Sequence, residues 1–123
     1  MISVKNLSKS FGSVHAVRSI SFDIHDGEIV GFLGANGAGK STTLKIMTGY
    51  ISPSAGNVYF NDYNIYDHSF EIQKDIGYLP EVNPLYTEMK VYDYLEFNAN
   101  IRNIKGQNFK NAFQKVVDEC GLS

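Results

Sequence analysis

The chain has 123 residues and the composition of a folded soluble domain. Hydrophobic residues make up 43% and charged residues 20% of it, a balance that excludes intrinsic disorder, and no apolar run reaches the ~18 residues that a membrane span requires. The net charge of −2 offers nucleic acid or an anionic membrane no general attraction. The single cysteine, Cys120, cannot form an internal disulfide, so we expect a protein of the reducing cytoplasm.

Strand patterns dominate the first eighty residues. Apolar residues alternate with polar ones over residues 20–24, which predicts a half-buried antiparallel strand. The run 29–33 is apolar or glycine throughout, which predicts a strand buried on both faces. Shorter strands are predicted at residues 58–60 and 76–79.

Helix patterns follow at three places. Residues 40–48 contain neither Gly nor Pro, and Gly49 stands where a helix would end. Residues 91–104 place apolar side chains three and four positions apart, and residues 109–120 repeat that pattern before Gly121. The chain is therefore predicted to be β-rich at first, with one buried parallel-type strand and a helix, and all-helical afterwards.

The glycine-rich segment between the run 29–33 and the first helix carries the clearest chemical pattern. Residues 34–41 read Gly-Ala-Asn-Gly-Ala-Gly-Lys-Ser, a full match to the phosphate-loop pattern G-x-x-x-x-G-K-[ST] in its required strand–loop–helix context. Glycines let backbone N–H groups approach phosphate oxygens, and a helix N-terminus attracts an anion. Lys40 is then expected to neutralise the β- and γ-phosphates, and Ser41 to ligate Mg²⁺. The alternative is a glycine-rich turn followed by a surface lysine.

Other segments occur in the order found in one family of phosphate-loop proteins. They read Val-Lys-Asn-Leu-Ser-Lys-Ser-Phe-Gly at 4–12, Ser-Phe-Asp-Ile at 21–24, Gly-Glu-Ile at 27–29, Pro-Ser-Ala-Gly at 53–56 and Ile-Gly-Tyr-Leu-Pro-Glu at 76–81. Together with the phosphate loop and the Thr-Thr-Leu that follows it, they cover essentially the whole chain. The chain resembles the N-terminal half of an ATP-binding subunit of an ABC transporter.

This resemblance implies the fold. We expect the α/β core of a P-loop NTPase of the ABC ATPase type, with an antiparallel β subdomain and the start of a helical subdomain, and with the C-terminal half absent. Residues 1–86 would be the N-terminal part of the ATPase core, and residues 87–123 the start of the helical subdomain. Tyr-Leu-Pro-Glu at 78–81 resembles the exporter-type and gliding-motility-type subgroup.

The resemblance also implies which residues hold ATP and Mg²⁺. Phe11 stands where an aromatic side chain stacks on adenine, although from the residues alone it could be an edge residue of a turn. Thr42 stands at a phosphate-contacting position, although it could be an ordinary residue of a first helical turn. The candidate nucleotide-binding residues are Phe11, Gly34, Asn36, Gly37, Ala38, Gly39, Lys40, Ser41 and Thr42.

Two residues depart from the family pattern. Ala35 replaces a common proline without removing a ligand. Glu81 stands where the family usually has a glutamine that reaches the metal and the attacking water. A carboxylate can still ligate Mg²⁺ beside Ser41, but it adds negative charge near the γ-phosphate. The alternative for Glu81 is a solvated loop residue after Pro80.

The implied function is that of a subunit that couples ATP binding and hydrolysis to transport. The partners would be a transmembrane permease subunit and a second ATP-binding subunit, with no nucleic acid, and the protein would lie peripherally on the cytoplasmic face of the cell membrane. The 123 residues contain no adjacent glycine pair, so the family's Leu-Ser-Gly-Gly-Gln signature is absent, and no apolar strand ending in Asp-Glu follows the helical part. We therefore expect this chain to bind nucleotide without hydrolysing it.

Three other functions remain open. A soluble ABC-type ATPase of repair or translation would usually carry insertions or basic surfaces that this chain lacks. Another P-loop enzyme, such as a GTPase or a small kinase, is disfavoured because the chain has no Asn-Lys-x-Asp motif and only two arginines, Arg18 and Arg102. A non-catalytic module that keeps the loop for structure alone is distinguished by nucleotide titration.

Overall fold

The computed structural model describes residues 1–35, 37–82 and 85–122. These residues form two compact units, Met1–Tyr78 and Leu79–Ser123. The first contains a β-sheet with two helices, and the second contains two helices.

The sheet of the first unit has four antiparallel strands. They are β1 (Ile2–Phe11), β2 (Val14–Ile24), β3 (Ala55–Phe60) and β4 (Tyr63–Asn64), in the spatial order β2-β1-β3-β4. The strands predicted at residues 20–24 and 58–60 are confirmed, because they lie in β2 and β3. Gly12, with φ of 60°, makes the tight connection between β1 and β2.

One helix closes the core over this sheet. The helix α1 (Lys40–Met47) places Ile46 and Met47 in a buried cluster with Leu7 and Val58 of the sheet. The prediction of a helix over residues 40–48 is confirmed. Burial of these apolar side chains holds the helix on the sheet.

The end of α1 is closed by a glycine, as its position in the sequence predicts. Gly49 has φ of 81°, and its N–H donates to the carbonyl oxygen of Ile46 at 3.1 Å. The N–H of Tyr50 donates to the carbonyl oxygen of Lys45 at 2.8 Å. This is the Schellman pattern. The short helix α2 (Ser69–Gln73) adds a further tie, because the Gln73 side chain donates to the Thr48 carbonyl oxygen at 3.0 Å.

The second unit pairs the helices α3 (Val91–Ile101) and α4 (Gly106–Cys120). Aromatic rings join them: the Tyr92 ring meets the rings of Phe109 and Phe113 edge-on, with centroids 5.7 and 5.1 Å apart. Both predicted helices are confirmed, with shifted ends.

The shifted end of α3 has a local backbone cause. The helix α3 ends at Ile101 rather than at residue 104, because Asn103 adopts φ of 58° and the N–H of Ile104 turns back to the Ala99 carbonyl oxygen at 2.8 Å. Asparagine is one of the few residues that tolerates this left-handed conformation. The helix α4 begins at Gly106, three residues before the predicted start.

Two predicted strands are wrong for this structure. Residues 29–33 form no strand, and the side chains of Ile29 and Leu33 are 101% and 98% exposed. Only Phe32 packs inward, edge-on to Phe22 at 5.3 Å. The segment 76–79 likewise forms no strand. A buried parallel strand requires neighbours to hydrogen-bond, and the four strands of the described residues pair only with one another.

A glycine of β3 gives a test of this fold. Gly56 has φ of 86°, and a Cβ atom there would overlap the backbone carbonyl group of Asn6. We expect Gly56→Ala to lower the free energy of unfolding by at least ~2 kcal/mol, because a left-handed backbone and a backbone clash combine. Urea unfolding followed by circular dichroism measures the change. Gly77→Ala is the matched control, since Gly77 has open space around it; equal losses in the two variants would contradict the strand register.

Candidate nucleotide-binding site

The phosphate loop of residues 34–41 leads directly into α1, whose first residue is Lys40. Gly37 and Gly39 have φ angles of 86° and 91°, in the left-handed region that glycine occupies without steric cost. The last two glycines of the motif therefore stand where the backbone requires them.

The last glycine of the loop is also pressed against the sheet. A Cβ atom on Gly39 would overlap the carbonyl oxygen of Ala16 and come within 3.2 Å of the Val17 side chain, both in β2. The Gly39 carbonyl oxygen accepts hydrogen bonds from the Thr43 N–H at 2.9 Å and the Thr43 hydroxyl at 2.8 Å. Sequence reasoning missed Ala16 and Val17, since nothing in an alternating strand pattern marks which residues a distant glycine will touch.

The rest of the loop is compact as well. The N–H of Ala38 donates to the Ala35 carbonyl oxygen at 3.1 Å, and a Cβ atom on Gly34 would stand 3.1 Å from the Ala38 methyl group. The ammonium group of Lys40 donates to the Gly34 carbonyl oxygen. The lysine thus lies folded along the loop that precedes it. Asn36 falls outside the described residues.

The first turn of α1 is open to a ligand. Ser41 is exposed and Thr42 partly exposed, and the turn carries no acidic residue. No side chain caps the N-terminus of the helix, where the first N–H groups have no intrahelical acceptor and the helix dipole is positive. Together with the Lys40 ammonium group, this arrangement can bind a multiply charged anion.

Phe11 ends β1 at the tip of the β1–β2 hairpin. Its Cα pairs with that of Val14, and its side chain is 51% exposed. The ammonium group of Lys9 stands 5.1 Å from the centroid of the ring. The ring is therefore a surface group and not a member of the buried core.

Glu81 belongs to the second unit and is exposed, directly after Pro80. Ser41, the other candidate metal ligand, belongs to the first unit. Throughout the described residues, no group of three or more His, Cys, Asp and Glu side chains is arranged to hold a metal ion.

The three histidines and one carboxylate of α4 have local partners. The imidazoles of His15, His25 and His68 contact Ser10 Oγ, Glu28 Oε1 and Glu71 Oε2, at 2.8, 3.1 and 3.3 Å respectively. The Asp-Glu pair at 118–119 lies within α4, where the Gln114 amide donates to Asp118 Oδ1 at 2.9 Å. This pair is therefore not the acidic end of an apolar strand.

The longest of the helices that the described residues form, α4, has 15 residues. Of those that the described residues form, none has both the length and the apolar character to cross a bilayer.

Sequence comparison relates the chain to one family of proteins. The curated family model described as ABC transporter matches residues 17–123. An ABC transporter ATP-binding protein of Methanocaldococcus jannaschii is 37% identical over 99% of this chain and 42% of its own length. The bacitracin transport ATP-binding protein of Bacillus licheniformis is 34% identical over 99% of this chain and 39% of its own length.

Solved structures give the same result for the fold. An ATP-binding subunit of an ABC transporter superposes with a TM-score of 0.83 at 28% identity, covering 97% of this chain and 50% of that one. A subunit of a Clostridium perfringens ABC transporter complex, cbiO1, superposes with a TM-score of 0.80 at 26% identity, covering 98% and 50%. The chain thus spans half or less of the length of these relatives. It has the α/β fold of the N-terminal part of an ABC ATPase, and it belongs to the ABC transporter family.

Proposed function

We propose that the chain is part of an ATP-binding subunit that couples ATP binding and hydrolysis to transport. The observation that carries this proposal is the phosphate loop at the start of α1, with Gly39 seated on β2 and an uncapped helix N-terminus free of acidic side chains. Family membership supports the choice of ATP among phosphate-bearing ligands.

In this proposal the loop holds the triphosphate. The backbone N–H groups of the loop and of the first turn of α1 bind phosphate oxygens, and Thr42 makes a further contact. The loop residues that donate these N–H groups or form the turn are Gly34, Asn36, Gly37, Ala38 and Gly39. Lys40 exchanges its hydrogen bond with the Gly34 carbonyl oxygen for the β- and γ-phosphates. Ser41 offers its hydroxyl to Mg²⁺, which would supply charge neutralisation there.

Phe11 holds the base. Its exposed ring can stack on adenine, and stacking here requires that the ring keep one face free of the Lys9 ammonium group that stands over it. Because stacking accepts any base, this contact adds affinity more than it adds selectivity for adenine.

We assign the remaining features from the family resemblance. Glu81 is a candidate ligand of Mg²⁺ or of the attacking water. Residues 1–86 form the N-terminal part of the ATPase core and residues 87–123 the start of the helical subdomain. The partners are a transmembrane permease subunit and a second ATP-binding subunit, at the cytoplasmic face of the membrane. Tyr-Leu-Pro-Glu at 78–81 favours an exporter.

The first test concerns Lys40. Lys40→Ala removes the positive charge that faces the β- and γ-phosphates, so we expect it to weaken Mg-ATP binding at least tenfold, or ~1.4 kcal/mol. Isothermal titration calorimetry measures the affinity. Lys45→Ala is the matched control, because Lys45 lies in the last turn of the same helix. Equal affinities for Lys40→Ala and the unchanged chain would contradict the proposed site.

A second test separates base binding from phosphate binding. We expect Phe11→Ala to cost ~1–3 kcal/mol of ATP affinity through lost stacking, while pyrophosphate binds as before. Phe70→Ala is a close control, since Phe70 is also exposed and also has a lysine ammonium group over its ring, at 4.8 Å. If ATP and pyrophosphate weaken together, Phe11 supports the fold and not the base.

The third test concerns hydrolysis. Turnover requires a base for the attacking water and donors that stabilise the charge of the γ-phosphate, and by resemblance these belong to motifs that the 123 residues do not contain. We expect the chain to release phosphate from ATP no faster than buffer does in a continuous phosphate-release assay. Steady turnover that Lys40→Ala abolishes would overturn this expectation.

A further inference from the structure

Thr43 is a polar residue in an apolar setting. It is the fourth residue of α1 and is 3% exposed. Ile46 and Met47, three and four positions further along the helix, belong to the buried core. Among the described residues, the other buried polar side chain is that of Ser3. A buried hydroxyl group requires a hydrogen-bond partner, and the partner of Thr43 lies in the phosphate loop.

Two donors of Thr43 share one acceptor. Its N–H and its hydroxyl group both donate to the carbonyl oxygen of Gly39, at 2.9 and 2.8 Å. The first bond is the ordinary bond of an α-helix and forms whatever the side chain is. The second exists because the side chain carries a hydroxyl group. A carbonyl oxygen has two lone pairs, so the two bonds together saturate the Gly39 carbonyl oxygen and hold it along the axis of α1.

The direction of this carbonyl group determines where the next N–H points. In a trans peptide unit the C=O and N–H bonds point in opposite directions. The Gly39 carbonyl group points into the helix, so the N–H of Lys40 points out of the helix N-terminus, on the side of the phosphate loop. An N–H in that position can donate to a phosphate oxygen, whereas a carbonyl oxygen there would repel it.

Gly39 makes a restraint on this peptide unit necessary. Close packing against Ala16 and Val17 of β2 leaves no space for a Cβ atom, so the position requires glycine. Glycine is also the residue whose backbone rotates most freely. Rotation of the peptide unit between Gly39 and Lys40 would put the carbonyl oxygen where the N–H stands. The hydroxyl group of Thr43 opposes that rotation with a second hydrogen bond.

We propose that Thr43 is a positioning residue of the nucleotide-binding site. Its hydroxyl group holds the peptide unit between Gly39 and Lys40 so that the Lys40 N–H is directed at a phosphate group. The residue is buried, unlike the exposed Ser41 and the partly exposed Thr42, so it acts through the backbone and touches no ligand. The inference rests on the function proposed above and adds Thr43 to the residues on which phosphate affinity depends.

The other end of α1 supplies a matched control. Threonine hydroxyl groups in helices commonly bond to the carbonyl oxygen four residues back, and Thr48, just past the last residue of α1, donates in this way to the Leu44 carbonyl oxygen at 2.8 Å. Thr48→Val therefore removes a bond of the same kind and length at a distance from the phosphate loop.

The test measures the affinity of the 123-residue chain and its variants for pyrophosphate, by isothermal titration calorimetry in the presence of Mg²⁺. We expect Thr43→Val to weaken binding about fivefold, the effect of one lost hydrogen bond. Thr43→Ser keeps the hydroxyl group and is expected to bind as tightly as the unchanged chain. Thr48→Val is expected to do the same.

Urea unfolding separates this role from a contribution to stability alone. Thr43→Ser loses a buried methyl group, whereas Thr43→Val keeps the apolar volume, so we expect the serine variant to be the less stable of the two. The expected order of affinity is the reverse. In ¹H–¹⁵N spectra, we also expect the shift of the Lys40 amide on addition of pyrophosphate to be smaller in Thr43→Val than in the unchanged chain.

The possible outcomes distinguish this inference from the proposed function. Equal pyrophosphate affinities for Thr43→Val and the unchanged chain overturn the inference alone. An equal loss in Thr48→Val, or affinities that follow the order of stability, does the same. If the unchanged chain shows no saturable binding of pyrophosphate, the proposed function is overturned and the role of Thr43 with it.

Discussion

The close approach of Gly39 to the carbonyl group of Ala16 is the constraint on which the candidate nucleotide site depends. The helix α1 is held at two points: its first turn rests on β2 through this contact, and its last turn is buried through Ile46 and Met47. Because both ends of α1 are fixed on the sheet, the sheet determines the direction in which the N–H groups of its first turn point. Any side chain at Gly39 would push that end of the helix away from the sheet.

The β1–β2 hairpin carries both halves of the proposed nucleotide site. Ala16 and Val17 of β2 support the phosphate loop, and Phe11 stands at the tip of the same hairpin, two pairs beyond the pair that contains Val17. The separation between the ring and the loop is therefore set by strand pairing rather than by a flexible connection. The register shifts between Lys9 and Ser10, whose partners Val17 and His15 leave Ala16 as an extra residue of β2, so this irregularity is part of what positions Phe11.

The sequence predicted features that depend on neighbouring residues and missed those that depend on residues far apart in the chain. The helix at 40–48, its glycine at position 49 and the strands at 20–24 and 58–60 were predictable because spacing and end residues are local properties. The backbone conformation of the glycine-rich loop was predictable because Gly37 and Gly39 adopt left-handed angles that favour glycine. The contact of Gly39 with Ala16 was not, since it joins residues 23 positions apart. Residues 29–33 were predicted as a buried strand from composition alone, which says nothing about whether neighbouring strands are present.

The exposed segment 29–33 has a consequence for the behaviour of the chain in solution. Phe32 anchors it to Phe22, while Ile29 and Leu33 face solvent, and no backbone hydrogen bond ties residues 29–33 to another described residue. An exposed apolar segment with unpaired backbone groups can pair with the strand edge of another chain. We therefore expect self-association of the chain through this segment to increase with protein concentration.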